Sequence, residues 1–145
     1  MAADKDLEQQ YGRAMEEHGF LPDPENRRYC SMGLCWRHSS QQGGGFFWTY
    51  GQQNLYTIKI HDFFFHEDQL LEFHWPESLS VTWYESISGE EFSPCRRLVP
   101  GCVKSFIGGR EPYRALIHRQ IPIVSIGVEI TPAYYRDYLR RQFPQ

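Results

Sequence analysis

"IPIVSIGVEI" (residues 121–130) alternates residue by residue and runs straight into "TPAYYRDYLRRQF" (131–143), which does not. Successive side chains of a strand point to opposite faces. One face is therefore Val124, Ile126, Val128 and Ile130, all apolar, and the other passes from Ile121 and Ile123 to Ser125, Gly127 and Glu129. This predicts a strand that begins buried on both sides and then emerges. Thr131 fits a helix N-cap, and Pro132 fits the first turn, where a missing N–H does no harm. Tyr135, Leu139 and Phe143 follow at spacings of four with Tyr138 beside them. A helix of about three turns is marginal alone, so this stripe needs a cover, either the protein's own surface or a second copy.

Outward from that strand, residues 29 to 130 are short runs of β-branched and aromatic residues separated by turn chemistry such as "HWPES", "SISGEE", "VPG" and "IGGREP". The runs place strands at 29–38, 45–50, 55–61, 70–74, 79–86, 91–98, 101–107, 113–118 and 121–130. No useful helical period interrupts them, which argues against a parallel α/β sheet. The expected fold is mainly β: a cupin-like jelly roll, or double-stranded β-barrel, with a helix at each chain end. Residues 1–28 read as an N-terminal arm with a short helix carrying Leu7, Tyr11, Ala14, Met15 and His18. Residues 29–130 read as the barrel and 131–145 as a C-terminal helix, with "QQGGG" at 41–45 as a mobile loop.

Alternation also proposes a pocket. Cys30, Met32, Leu34, Trp36 and His38 share a face in "CSMGLCWRH", as do Leu79, Val81, Trp83 and Glu85 in "LSVTWYES". Both faces run apolar, then a tryptophan, then a titratable group. With the strand ends at one mouth of the barrel, Trp36, His38, Trp83 and Glu85 form a polar-tipped aromatic pocket. Tyr56 and His61 lie on opposite faces of a neighbouring strand, so only one can join; Tyr56 is the candidate. Rings for C–H faces and polar tips for hydroxyls suit a small polyol or sugar, among other small polar ligands.

Several function classes recede. The 145 residues suit one core, and 16% aromatic content is high for a soluble domain. The N-terminus has no apolar run of a signal peptide and no stretch could span a membrane, so the expected compartment is the cytoplasm. Cys30, Cys35, Cys95 and Cys102 lack paired zinc-site spacing and read as reduced thiols. The net charge of −3, with arginine pairs scattered among acids, does not suit a domain that grips DNA alone. His61, His66 and His74 are separated by four and seven intervening residues with no HxH, so neither a metal nor a cofactor is expected; "FHED" at 65–68 reads as a solvated turn. There is no GxSxG elbow and no P-loop lysine, and "SGEE" at 88–91 reads as a hairpin tip. An enzyme is not expected, although a small cupin isomerase, a metal-dependent oxygenase or a stand-alone carbohydrate-binding module remains the alternative.

"HRQIPIVSIGVEITPAYYRDYL" resembles the closing segment of the N-terminal sensor domain of AraC-type transcription regulators, in which a strand passes into a helix leading to the DNA-binding part. "LYTIKIHDFFFHEDQLLEFHWPESLSVTWYES" followed by "SGEEFSP" is similar to the middle of the same domain. The resemblance runs from roughly Tyr29 to Leu139, on diffuse patterns. It implies a small-molecule effector domain, a sugar being one candidate, that also dimerises, and the stripe of Tyr135, Tyr138, Leu139 and Phe143 read above is the expected dimer contact. DNA would be reached only through a helix-turn-helix part that this sequence lacks. It carries over no ligand residues.

Overall fold

The computed structural model describes residues 7–39, 41–52, 55–92 and 95–144. Among the described residues, eleven strands form two antiparallel sheets that close into the expected cupin-like barrel. The larger sheet orders β1 (Phe20–Pro22), β2 (Leu34–His38), β3 (Gly43–Gln52), β4 (Tyr56–Phe65), β11 (Ile123–Ile130), β6 (Ser78–Ser86) and β9 (Val103–Gly108). The smaller orders β5 (Gln69–Phe73), β10 (Tyr113–Ile117), β7 (Gly89–Phe92) and β8 (Arg96–Leu98). Helix α1 (Leu7–Glu16) lies against β1, β3 and β4.

Three local expectations are corrected. "QQGGG" is no mobile loop: Gly43 to Gly45 pair with Phe65 to Phe63 across β3 and β4. The approach is so close that a Cβ on Gly43 would sit 2.1 Å from the Phe64 carbonyl oxygen. "SGEE" is no hairpin tip, because Gly89 to Phe92 is strand β7, held between β10 and β8. The run at 91–98 divides into β7 and β8, with residues 93 and 94 outside the described ones.

The core fills one half of the barrel. Phe20, Phe47, Phe63 and Phe65 meet edge to face at centroid distances of 4.8 to 6.5 Å. Leu71, Phe73, Ile117 and Ile123 continue the cluster. These rings supply apolar burial, which is the main favourable term in folding. From α1, Tyr11 and Met15 enter the same interior, both under 4% exposed.

The sheet around β11 has the reverse orientation from that expected of β6 and β11. The inner face carries Ser80, Thr82 and Tyr84 from β6 and Ser125, Gly127 and Glu129 from β11. Val81, Trp83, Ile126 and Val128 lie on the outer face, each at least 40% exposed.

At the C-terminal end Thr131 acts as the predicted cap: its Oγ1 accepts from the Tyr134 N–H at 3.3 Å. The chain then makes a π-helical turn, Ala133–Tyr138, followed by α2 (Leu139–Gln142). Tyr134 meets Tyr56 edge-on, and both Tyr135 and Arg136 bond to Glu77, fixing this helix at the end of the barrel. No residue of it is buried.

Candidate functional site

Register builds the site. In the inner row Thr49, Lys59, Gly127, Thr82 and Lys104 lie side by side across five strands. The next row up is Phe47, His61, Ser125 and Tyr84, and the next down is Thr57, Glu129, Ser80 and Phe106. Gly127 has no side chain at the centre, and a Cβ there would come within 2.7 Å of Thr82 Oγ1. The space it leaves opens into a cavity of about 700 Å³ counting its mouth. About 80 Å³ can be visited by the centre of a water molecule. That is several times the roughly 10–15 Å³ that one water needs. Trp75, Tyr113, Phe73 and Phe106 supply aromatic walls.

Two buried carboxylates, Glu129 and Glu91, hold the polar half together through ion pairs. Lys59 Nζ donates to Glu129 Oε1 and sits 3.8 Å above the Tyr11 ring and 4.9 Å from that of Trp75. Glu129 is 5% exposed, and its second oxygen, Oε2, has no hydrogen-bond partner among the described residues. Lys104 Nζ donates to the Tyr113 hydroxyl at 2.7 Å and pairs with Glu91 at 3.2 Å, while Arg96 holds the other Glu91 oxygen at 2.8 Å.

His61 connects roof and floor. Its Nε2 lies 2.5 Å from the Tyr11 hydroxyl and its Nδ1 lies 3.1 Å from Ser125 Oγ. Burial first, then the ammonium groups of Lys59 and Lys104, hold its pKa well below the ordinary histidine value. A neutral ring follows, which accepts from Tyr11 O–H at Nε2 and donates from Nδ1–H to Ser125. Burial lowers the pKa of Lys59, and Glu129 works against that fall. Burial raises the Tyr11 phenol, and the Glu129 charge raises it further. This arrangement can accept a hydrogen bond at Glu129, supply an ammonium beside it and move a proton between them.

The predicted pocket residues do not come together. Trp36 and His38 do point inward, but into the aromatic half: Trp36 stacks on Phe47 at 5.4 Å and His38 lies edge-on to Phe20 at 4.7 Å. Trp83 and Glu85 are on the outer face, so the assumption that the apolar face of β6 points inward is corrected. With β3, β4 and β11 between them, β2 and β6 run in the same direction and end at the same end of the barrel, but Trp83 and Glu85 face away from its interior. Tyr56 is on the outer face against Tyr134, and His61 is the member of that pair that enters the cavity. Sequence reading missed Lys59, Lys104, Glu91 and Glu129. The available signal was a charged residue in mid-strand, Lys59 in "TIKIH" and Glu129 in "GVEI", where an amphipathic strand ordinarily places it outward.

No family model and no curated protein matches the chain. Among solved structures it aligns with a sugar phosphate isomerase from a cupin superfamily, from Silicibacter pomeroyi, at 11% identity and TM-score 0.41 over 59% of each chain. It also aligns with KdgF from Halomonas sp., at 10% identity and TM-score 0.41, over 59% of this chain and 76% of that one. The domain is cupin-like in fold. The alignment spans less than two thirds of the isomerase. The expectation of a non-enzymatic chain is corrected on the interior itself, where Lys59 with Glu129 and His61 with Tyr11 bring buried titratable groups together. Among the described residues no helix is long and apolar enough to cross a membrane, and no three His, Cys, Asp or Glu side chains gather as metal ligands.

Proposed function

We propose that the barrel binds a small, hydroxyl-bearing metabolite in the cavity beside Gly127 and performs proton-transfer chemistry on it. One observation carries this reading: Glu129 lines the cavity, and its buried Oε2 has no hydrogen-bond partner among the described residues. A buried carboxylate oxygen without a partner costs free energy, and a ligand O–H recovers it. In an isomerisation Glu129 would take the proton from the carbon beside a carbonyl, and Lys59 would hold the oxygen as it becomes negative. The same carboxyl would return that proton to the former carbonyl carbon while the hydroxyl proton of the first carbon passes to the former carbonyl oxygen beside the Lys59 ammonium, so that atoms and charge balance.

A second reading is favoured by the C-terminal helix. Tyr138 and Phe143 are 43% and 72% exposed, and the sequence patterns resemble AraC-type sensor domains. On that reading the metabolite is an effector and the helix passes the bound state to a partner or to a DNA-binding part.

One experiment separates the two. Three- to six-carbon sugars and polyols are screened by thermal unfolding, and binders are then incubated with the protein and followed by NMR. A raised unfolding temperature in the native chain, absent in Gly127→Leu, is expected of both readings. New ligand resonances that disappear in Glu129→Gln support the enzyme, and unchanged ligand supports the sensor. No shift with any compound would remove the cavity reading itself.

A further inference from the structure

The outer face of the large sheet is the other unusual surface. Three rows run across it in register: Trp48, Ile60, Ile126, Trp83 and Val103; Tyr50, Ile58, Val128, Val81 and Ser105; Gln52, Tyr56, Ile130, Leu79 and Ile107. No position in them is charged. Val81, Trp83, Val103, Ile107, Ile126 and Val128 are between 40% and 65% exposed. Their uncovered parts together amount to roughly 500 Å² of apolar surface, at the upper end of what a monomer leaves in one patch and more than half of the ~800 Å² per partner of a standard interface.

We infer that this face is a homodimer interface, in which a second copy lays its own outer sheet face on it, turned end for end. Size is the first argument. The partly exposed Leu79 and Ile130 lie between these six and make the patch continuous. Charge is the second. Asp62 of β4 and Glu85 of β6 lie on this face beyond the rows at one end. Tyr134 against Tyr56 puts the C-terminal helix at the other end, with Arg140 and Arg141 exposed on it. A two-fold axis running across the strands brings the acidic end of each copy to the basic end of the other and buries the uncharged middle. Arg28 and Arg37 stand at the same end as Asp62, on its β2 side, Arg28 over the Phe46 that pairs with Asp62, so the acidic part is limited to the stretch from β4 to β6. Face-to-face sheets of this kind pack with their strands nearly aligned.

The test is sedimentation of the full 145-residue chain over a concentration series. The native chain is expected as a dimer, and Val81→Glu with Ile126→Lys as a monomer. Both positions face outward, so an unchanged far-UV circular dichroism spectrum and a sharp thermal transition will show that the variant is folded. Leu139→Lys with Phe143→Lys is expected to remain dimeric. A native chain that is monomeric throughout, or a dimer lost with the helix variant and kept with the sheet variant, would overturn the inference. Because neither variant touches the cavity, either result leaves the ligand reading as it stands.

Discussion

The two faces of β4, β11 and β6 are the instructive contrast. The same strands present Thr57, Lys59, His61, Ser80, Thr82, Ser125 and Glu129 inward, and Ile58, Ile60, Val81, Trp83, Ile126 and Val128 outward. In an ordinary half-buried sheet the assignment is the opposite. Here the aromatic half of the barrel supplies the hydrophobic burial, so the polar half can forgo it and face a cavity. The desolvation of Lys59 and Lys104 is offset chiefly by their ion pairs with Glu129 and Glu91, so the inner face depends on pairing and the outer face does not.

The strongest way to break this contrast is to unpair the inner face. Glu129→Ala leaves the Lys59 ammonium buried alone and should cost about 3–5 kcal/mol in urea unfolding, whereas Lys59→Met with Glu129→Leu should recover most of it. A single-variant loss no larger than that of an exposed pair would show that the interior is wetter than the geometry implies. The aromatic half sharpens the comparison. Phe47, at 0% exposure, should lose about 3–5 kcal/mol on change to Ala. Trp83→Ala, on the outer face, should lose about 1 kcal/mol or less in the monomer despite the larger ring removed.

Acid gives a smaller, graded test. His61 stays neutral when folded but takes a proton near its ordinary value of 6.5 when unfolded, so the unfolded state binds more protons as pH falls. Stability is therefore complete above about pH 6.5 and falls below it, with a slope approaching about 1.4 kcal/mol per pH unit from this one group. His18, also lowered by burial, adds to the slope, so the quantity to measure is the difference between the native chain and His61→Gln. Identical slopes would mean that His61 is accessible to bulk water. The smallest effect belongs to the exposed Arg136–Glu77 pair, where Arg136→Ala should cost no more than about 1 kcal/mol and less still in high salt.

The barrel was legible because alternation and turn chemistry are local. Strands near 55–61, 79–86 and 121–130 appear within a few residues of their predicted bounds, and Thr131 caps where expected. Which face of a strand points inward is not local. Alternation separates Val81 and Trp83 from Ser80 and Thr82, but hydrophobicity alone then assigns the wrong set to the interior. Lys59 and Glu129 stand 70 residues apart and become a site only through the pairing of β4 with β11. The glycines of "QQGGG" were misread for a related reason. Their role, a close backbone approach to Phe63 and Phe65, is set by a strand about twenty residues further on.

The position of β11 has a consequence for the order of assembly. It is the last strand of the chain, yet it lies between β4 and β6 and pairs with both along its length. Until it arrives those two strands have no common neighbour, and the large sheet is two separate pieces. Pairings this distant in sequence make folding slow. During synthesis the barrel would stay open until residue 130 leaves the ribosome, with Lys59 in water and Glu129 not yet made.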